Sequence, residues 1–174
     1  MNIFVSGGAK NGKSTFAEEK AREMAHNKNL PLYYVATMIP HDKEDEARIR
    51  RHVISRAGKG FTTIEQGLHI LEVLREYRGV FLIDSVTALL SNEMFRENGF
   101  CDYAAGERLK EELVTFVKKS ENTVFVSDYI YSDANIYDRY SEKYRENLAY
   151  IDKGLAKICD KVYEVSFGNV KEHK

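Results

Sequence analysis

Eight consecutive residues near the amino terminus have the composition and spacing of a phosphate-binding loop. They fit the pattern G-x-x-x-x-G-K-S and are Gly7, Gly8, Ala9, Lys10, Asn11, Gly12, Lys13 and Ser14. Glycines let backbone N–H groups approach phosphate oxygens, and a helix that follows presents unpaired N–H groups and its positive dipole end. Lys13 would add a cation beside the outer phosphates, and Ser14 a hydroxyl ligand for Mg²⁺. The segment predicts a nucleotide-phosphate site; the alternative is a glycine-rich turn that only reverses the chain.

A carboxylate follows the apolar run of residues 80–83, which has the pattern of a buried strand. A carboxylate at the end of such a strand can lie near magnesium bound to phosphates, so Asp84 is a candidate catalytic and Mg²⁺-binding residue together with Ser14. The alternative is that Asp84 caps a helix predicted to begin near Ser85, and the two roles are compatible. These features predict nucleotide binding without distinguishing phosphoryl transfer, hydrolysis and switching.

Short β-branched and aromatic runs alternate along the chain with longer segments of helical periodicity. Strands are predicted near residues 3–5, 32–36, 62–65, 80–83, 123–126 and 162–165, and helices near 13–26, 42–56, 68–79, 86–95, around 109–117 and 138–158. This order predicts an α/β fold, a mostly parallel P-loop NTPase-like sheet with helices on both faces. Because no repeat, low-complexity tract or linker interrupts the pattern, we expect a single domain over residues 1–174.

One histidine lies on a charged segment, residues 42–56, whose acids come first and bases last, as a helix dipole favours. Arg48 and Arg56 lie four residues before and after His52, so a helix places all three on one face. Two guanidinium groups would form a local anion site and would favour the neutral, nucleophilic imidazole. The alternatives are a solvated surface histidine and arginines that only complement the carboxyl end of the helix.

Composition limits the partners and the compartment. With 26 Lys and Arg residues against 27 Asp and Glu, the net charge is −1, so we expect no bulk attraction to nucleic acid or to an anionic membrane. No apolar run approaches the roughly 20 residues that span a bilayer. The amino terminus lacks a cationic leader and a long apolar segment, so we expect a cytoplasmic protein. Cys101 and Cys159 lie far apart without nearby histidines, which favours reduced thiols.

Positions beyond the phosphate loop make the chain similar to one enzyme family. Residues 6–14 are S-G-G-A-K-N-G-K-S beside the family's S/T-G-G-A-R-S-G-K-S, and Y-V-A-T follows at 34–37. R-I-R-R-H at 48–52 with Arg56 is similar to R-I-x-x-H-x-x-x-R, F-T-T-I-E at 61–65 to W-x-T-x-E, and D-S-V-T-A-L-L-S-N at 84–92 to D-C-x-T-x-W-x-x-N. Over nearly its whole length the chain resembles the bifunctional adenosylcobinamide kinase and adenosylcobinamide-phosphate guanylyltransferase family of cobalamin biosynthesis.

The resemblance implies two linked reactions. A kinase half would phosphorylate the aminopropanol hydroxyl of adenosylcobinamide, and a transferase half would attach GMP from GTP to adenosylcobinamide phosphate through a guanylylated histidine. His52 matches that histidine. Glu65 joins Arg48 and Arg56 among the expected nucleotide-binding residues. The resemblance also implies ATP and GTP as substrates, Mg²⁺ as the metal and a homo-oligomeric, trimeric assembly.

The segment that follows residues 124–126 departs from the family pattern. The family has N-E-V-G-x-G-I-V-P there, whereas this chain has S-D-Y-I-Y-S-D-A-N at residues 127–135. The glutamate, both glycines and the proline are absent, and Asp128 is a nearby acid that could stand in for the glutamate. The departure leaves two alternatives to an enzyme with both activities. One is a family member with a single activity or a different acceptor; the other is a nucleotide-binding regulatory protein that uses the phosphate loop as a switch.

Overall fold

The computed structural model describes residues 1–40, 42–96 and 100–174; within one helix the side chains of Arg48, His52 and Ser55 lie outside that description. The strands are β1 Asn2–Gly7, β2 Leu32–Ala36, β3 Thr62–Glu65, β4 Val80–Asp84, β5 Thr123–Asp128, β6 Lys161–Ser166 and β7 Asn169–Glu172. The helices are α1 Lys13–Lys28, α2 Lys43–Arg56, α3 Val73–Glu76, α4 Val86–Met94, α5 Ala105–Ser120 and α6 Arg139–Ile158. A 3-10 turn, Ile70–Glu72, leads into α3.

One seven-stranded sheet organises the fold, in the order β3-β2-β4-β5-β1-β6-β7. All neighbours from β3 to β6 are parallel, whereas β7 runs antiparallel to β6. The mostly parallel sheet is as predicted. Strand β7 was not predicted because its four residues are exposed and include only one apolar side chain. It forms because Phe167 and Gly168 adopt positive φ angles of 52° and 75° in a tight turn that pairs it with β6.

Alternate strand residues separate into two core layers, one on each face of the sheet. On one face Ile3, Val5 and Leu82 pack with Ala17 and Ala21 of α1. On the other face the strand residues Phe4, Phe81 and Phe125 pack with side chains of α5 and α6 that include Leu113, Phe116, Leu148 and Ile151. Helices therefore cover both faces, as predicted. No helix in the described ranges is long and apolar enough to cross a membrane.

The helix predicted near residues 68–79 is much shorter in the structure, where it consists of the 3-10 turn and the four residues of α3. The chain must leave the helix early to enter β4. Tyr77 is already extended, with φ −114° and ψ 145°, and the Val80 N–H donates to the Pro31 carbonyl at 2.8 Å. Sheet pairing therefore outweighs the helical periodicity of the leucines in this segment.

Helix α2 differs from the other long helices because it adds little to the core. The Asp42 carboxylate caps its first turn by accepting from the Glu44 and Asp45 N–H groups, both at 2.8 Å. Among its described side chains only Arg56 is buried, and Ile54 is 73% exposed. Just after the other end of the helix, Lys59 ties the chain to α1, because its Nζ lies 2.6 Å from Glu18 Oε2. Helix α2 is thus held mainly at its two ends.

Candidate functional site

The phosphate loop connects β1 to α1 at the centre of the sheet, where both the pattern and the predicted context required it. Gly12 precedes the helix with φ +88°, a conformation that favours glycine. A side chain on Gly7 would collide with the Val165 carbonyl of the neighbouring strand, so only glycine fits there. The first turn of α1 contains no acidic residue, which leaves its positive dipole end available to an anion.

Lys13 begins α1 and turns back over the loop. Its Nζ donates to the Gly8 carbonyl at 3.1 Å and lies 2.6 Å from Asp128 Oδ1. Asp128 is the last residue of β5, and its own N–H donates to Thr87 Oγ1 at 2.8 Å. The next residue, Tyr129, donates its N–H to the Gly7 carbonyl at 2.9 Å. The phosphate-loop lysine is thus held by a carboxylate that the neighbouring strand fixes in place.

Asp84 is the last residue of β4, which pairs with β5 on the side opposite β1. Its carboxylate contacts a tyrosine of β2, which in turn contacts an arginine. The Tyr34 hydroxyl donates to Asp84 Oδ2 at 3.1 Å. Burial and the Asp84 carboxylate raise the pKa of Tyr34, so this hydroxyl keeps its proton. The Arg56 guanidinium carbon lies 3.3 Å from the centroid of the Tyr34 ring. Tyr34 therefore connects the strand-end acid to the arginine at the end of α2.

Arg56 is unusual because it is charged, only 5% exposed and incompletely paired. Its Nε and Nη1 atoms are buried and have no hydrogen-bond partner among the described residues. A guanidinium with unused donors is costly to bury, and an oxyanion such as a phosphate group would accept hydrogen bonds from them. The side chain therefore has donors available to an anion in the cleft, and its role in nucleotide binding stays a prediction.

Side chains of the motif at residues 84–92 hold the strand ends together. The Ser85 N–H donates to Thr37 Oγ1 at 2.7 Å, and the Thr37 hydroxyl donates back to the Ser85 carbonyl at 2.9 Å. The Asn92 amide donates to the Thr37 carbonyl at 2.8 Å. Ser85 also caps α4 by accepting from the Ala88 N–H, so the cap of this helix is Ser85 and not Asp84. The alternative assignment of Asp84 to capping is therefore wrong.

These groups share one cleft at the carboxyl edge of the sheet. Its lining residues are Lys13, Ser14, Tyr34, Ala36, Thr37, Met38, Ile49, Arg56, Asp84, Ser85, Ala88 and Asp128. The free space is about 70 Å³, below the roughly 300 Å³ of a pocket for a drug-sized ligand. The enclosed part is thus suited to a phosphate group, with any nucleoside lying along the open surface.

The donor set of the cleft suits Mg²⁺ better than a softer metal. The Ser14 hydroxyl and the Asp84 carboxylate are hard oxygen ligands, and Mg²⁺ usually binds one or two such protein groups together with phosphate and water. Among the described residues no three His, Cys, Asp or Glu side chains come together as a metal cluster. The residues therefore fit a magnesium ion that depends on a bound nucleotide for its remaining ligands.

The side chains of His52 and Arg48 lie outside the described part of the structure, so the predicted anion site around the imidazole is not tested. The backbone of α2 does place position 52 between Ile49 and Arg56, both of which line the cleft. Glu65 ends the edge strand β3 and is exposed, and it is not among the residues that line the cleft. Its predicted role in nucleotide binding remains a prediction.

Tyr34 and Thr37 line the cleft but were not predicted as site residues; Tyr34 lies in the middle of β2 and Thr37 directly follows that strand. The available signal was the Y-V-A-T motif at residues 34–37, which leads to the edge of the sheet where the carboxyl ends of parallel strands meet. Asp128 was recognised as an acid after β5, but its pairing with Lys13 follows only from the register in which Gly7 lies beside Asp128.

A glycine-rich loop between a central strand and a helix, with an acid at the end of a nearby parallel strand, defines a P-loop nucleotide-binding protein. Solved structures agree with this class. The flagellar accessory protein FlaH from Methanocaldococcus jannaschii is similar with a TM-score of 0.52 and 13% identity, covering 98% of this chain and 75% of that chain. The ATPase domain of G40P is similar with a TM-score of 0.53 and 11% identity, covering 94% of this chain and 68% of that chain. The predicted P-loop NTPase-like fold is confirmed.

Sequence comparison defines the family. The family model described as cobinamide kinase / cobinamide phosphate guanyltransferase matches residues 3–172. The bifunctional adenosylcobalamin biosynthesis protein CobU of Escherichia coli (strain K12) is 25% identical over 181 residues, which cover 97% of this chain and 97% of that protein. The chain therefore belongs to the cobinamide kinase / cobinamide phosphate guanyltransferase family, as the motif resemblance predicted.

Proposed function

We propose that this chain catalyses both reactions of its family. The first is phosphorylation of adenosylcobinamide with ATP or GTP, and the second is transfer of GMP from GTP to the resulting adenosylcobinamide phosphate. The observation that carries the proposal is the convergence of Lys13, Asp84 and Arg56 on one cleft at the carboxyl edge of the sheet. Arg56 also ends the helix on which position 52 lies. One nucleotide site could therefore serve both steps.

In the kinase step the aminopropanol hydroxyl oxygen attacks the γ-phosphorus of the nucleoside triphosphate. The bond from that phosphorus to the β,γ-bridging oxygen breaks, and the nucleoside diphosphate leaves with the electron pair. Lys13 and the loop N–H groups stabilise the charge on the transferred phosphoryl oxygens. Lys13 can meet those oxygens by exchanging its contact with Asp128, a short side-chain movement.

The acceptor hydroxyl must lose a proton during this step. Asp128 lines the same cleft, and loss of its lysine partner to the phosphate would leave its carboxylate able to accept that proton as a general base. Mg²⁺, when bound, would neutralise phosphate charge as a Lewis acid, with Ser14 and Asp84 as its protein ligands. The phosphate loop and Arg56 would position the phosphates of the nucleotide.

In the transfer step we propose His52 as the nucleophile. A ring nitrogen would attack the α-phosphorus of GTP, the bond from that phosphorus to the α,β-bridging oxygen would break, and pyrophosphate would leave. A phosphate oxygen of adenosylcobinamide phosphate would then attack the same phosphorus, and the nitrogen–phosphorus bond would break to release the neutral imidazole. Arg48 and Arg56 would neutralise the developing charge on the α-phosphate. Division into two displacements gives two lower barriers in place of one high barrier.

A second candidate is an enzyme with a changed acceptor, and the segment after β5 favours it. Ser127 and Asp128 extend β5, where the family pattern has a glycine-containing loop. The residues that follow are rich in tyrosine, and the Tyr129 and Tyr131 rings meet edge to face with centroids 4.7 Å apart. This wall differs in shape and rigidity from a glycine-rich loop. We nevertheless favour adenosylcobinamide and its phosphate as the substrates. We also propose that the enzyme is a trimer, as the family resemblance implies.

Separate product assays test the proposal. Purified protein is incubated with Mg²⁺, γ-labelled ATP and adenosylcobinamide for the kinase step, and with α-labelled GTP and adenosylcobinamide phosphate for the transfer step. We expect label on the corrinoid in both assays. Label in only one assay would reduce the proposal to a single activity, and label in neither, with nucleotide binding intact, would support the changed acceptor.

A further inference from the structure

A second cavity lies on the α6 face of the sheet, between α6, β1 and β6. It measures about 240 Å³, and Tyr129 and Tyr131, from the segment after β5, form part of its wall. Its apolar part includes Phe4, Ala156 and Val162. No group of the phosphate-loop cleft lines it. The cavity therefore needs an explanation of its own.

The polar end of this cavity contains two buried groups with unused hydrogen-bonding capacity. Asp152 is only 2% exposed; its Oδ2 accepts from the Ser127 and Tyr131 hydroxyls, both at 3.0 Å, whereas its Oδ1 is buried without a hydrogen-bond partner. The Ser6 Oγ is also buried and has no partner among the described residues. Buried polar atoms are usually paired, so these two atoms, on residues that line one cavity, have hydrogen-bonding capacity left for a polar ligand.

The chemistry of these two groups selects the kind of ligand. Lys153 and His173 also line the cavity, but both are exposed, and His173 Nε2 already lies 2.8 Å from Glu164 Oε2. A ligand carboxylate at the buried end would lie against Asp152 instead. An ammonium ion would require an ionised Asp152, but burial raises the pKa of this carboxyl to about 7, which opposes ionisation. A primary carboxamide matches either state, because it carries both a donor and an acceptor. Its NH₂ group could donate to Oδ1, and its carbonyl could accept from the Ser6 hydroxyl.

Position connects the cavity to the proposed acceptor. Ser127 contacts Asp152 in the cavity, whereas the next residue, Asp128, lines the phosphate-loop cleft. The two sites are therefore separated by the thickness of one strand. The cavity is smaller than the roughly 300 Å³ expected for a whole drug-sized ligand, so it suits one arm of a larger molecule. Cobinamides carry primary carboxamide arms around the rim of the corrin ring.

We propose that the cavity formed by Ser6, Asp152 and the Tyr129–Tyr131 wall binds a primary carboxamide arm of the corrinoid acceptor. This assignment of the acceptor rests on the proposed function. The arm would hold the corrinoid over the carboxyl ends of β1 and β5, with its hydroxyl side chain free to reach the cleft. The tyrosine-rich segment then replaces the glycine-containing loop of the family as part of the acceptor site.

Three small probes of nearly equal size test the chemistry of the cavity. Propionamide, propionate and propylammonium are titrated separately into isotope-labelled protein, and the backbone resonances of residues 6, 131 and 152 are followed by NMR. We expect propionamide to shift these resonances with a millimolar Kd, and the two ions to bind at least several-fold more weakly. Tighter binding of propylammonium, or no shift with propionamide, would overturn the carboxamide assignment.

Variants test whether specific hydrogen bonds hold the carboxamide or whether the cavity accepts propionamide without them. Ser6→Ala removes one hydrogen-bond donor and should weaken propionamide binding roughly three- to tenfold. Asp152→Asn keeps a donor and an acceptor and should retain propionamide binding within about threefold. Ser120→Ala, at the opposite end of the sheet, is the matched control and should bind as the wild-type protein does. Equal binding by the Ser6→Ala variant would contradict the proposal.

Competition with the natural acceptor distinguishes failure of this inference from failure of the proposed function. Adenosylcobinamide is titrated into the propionamide complex. Displacement of propionamide supports the proposal. If adenosylcobinamide binds and propionamide stays in place, the arm assignment is wrong. If adenosylcobinamide does not bind while propionamide does, the proposed acceptor is wrong and the cavity remains a carboxamide site.

Discussion

The phosphate loop and helix α2 contribute to the same cleft but are built in contrasting ways. The loop follows a strand at the centre of the sheet, and the helix behind it contributes the fully buried Ala17 and Ala21 to the core. Helix α2, in contrast, adds no described side chain to either core layer. It approaches the cleft through Ile49 and Arg56. The phosphate-binding part is therefore fixed by the fold, whereas α2 depends on a few contacts at its ends.

This difference has a consequence for the two proposed reactions. The residues proposed for the kinase step, Lys13, Ser14 and Asp84, line the cleft at the carboxyl edge of the sheet. The proposed nucleophile His52 belongs to a helix whose described side chains add nothing to either core layer. Damage to the loop should therefore impair both steps, whereas changes in α2 should separate them.

The largest effect is expected from Lys13→Ala. Removal of this cation takes away charge stabilisation of the transferred phosphoryl group, and loss of a comparable preorganised donor costs roughly 10²- to 10³-fold in rate. Both the kinase step and GTP use should fall, because the loop serves both. Kinase turnover with labelled ATP is the measurement, and Lys20→Ala, a half-buried lysine of the same helix that does not line the cleft, is the control. Unchanged turnover would remove the phosphate loop from the mechanism.

Asp84→Asn should change the Mg²⁺ requirement while preserving the fold. The amide has the same size and can still accept from the Tyr34 hydroxyl, but it lacks the negative charge that binds the metal. We expect the Mg²⁺ concentration for half-maximal activity to rise roughly 10- to 100-fold. Asp160→Asn, at the other end of the sheet, should behave as wild type. A Mg²⁺ titration that is the same for Asp84→Asn and wild type would exclude Asp84 from the metal site.

Arg56→Lys sharpens the comparison because Arg56 links α2 to the cleft. Lysine keeps the charge but loses the planar donors and the stacking on Tyr34, so we expect nucleotide affinity to fall about tenfold. GMP transfer should fall more than the kinase step if the residue also positions α2. Arg51→Lys, an exposed arginine on the same helix, is the matched control. Equal loss in both variants would mean that the effect does not depend on the place of Arg56 in the cleft.

Ile54→Ala should have the smallest effect. This side chain is 73% exposed, and exposed substitutions usually change the free energy of unfolding by about 0.5 kcal/mol or less. Ile151→Ala, at a fully buried position of α6, should cost about 2–5 kcal/mol. Denaturant unfolding of both variants measures the contrast. A loss for Ile54→Ala as large as that for Ile151→Ala would mean that α2 is covered in solution.

Local sequence patterns predicted the parts of the site that are contiguous. Residues 7–14 could be recognised because the loop, the strand before it and the helix after it are one segment of chain. The contact from Tyr34 to Asp84 could not, because it joins residues 50 apart through the register of β2 and β4. The burial of Arg56 also escaped prediction, since its sequence neighbours are charged and the stack on Tyr34 exists only in the folded chain.

The same distinction explains the elements that were missed or misjudged. The helical periodicity near residues 68–79 is genuine, but the tertiary demand to enter β4 ends the helix early. Strand β7 has no periodic apolar signal because it lies at the sheet edge and is exposed. Asp152 and Ser6, with their unpaired Oδ1 and Oγ atoms, line one cavity only because the folded chain brings α6 and β1 to the same face of the sheet. Nonlocal packing, rather than local propensity, decides each of these features.

The most direct test of the account is whether His52 carries GMP. Wild-type protein and the His52→Ala variant are incubated with Mg²⁺ and GTP in the absence of acceptor, and their intact masses are measured before and after mild acid treatment. The wild type should gain one acid-labile GMP and release pyrophosphate, whereas the variant should gain none and keep its kinase activity. If the wild type binds GTP but gains no GMP, or if both proteins gain it equally, the assignment of His52 and the proposed two-step transfer are contradicted.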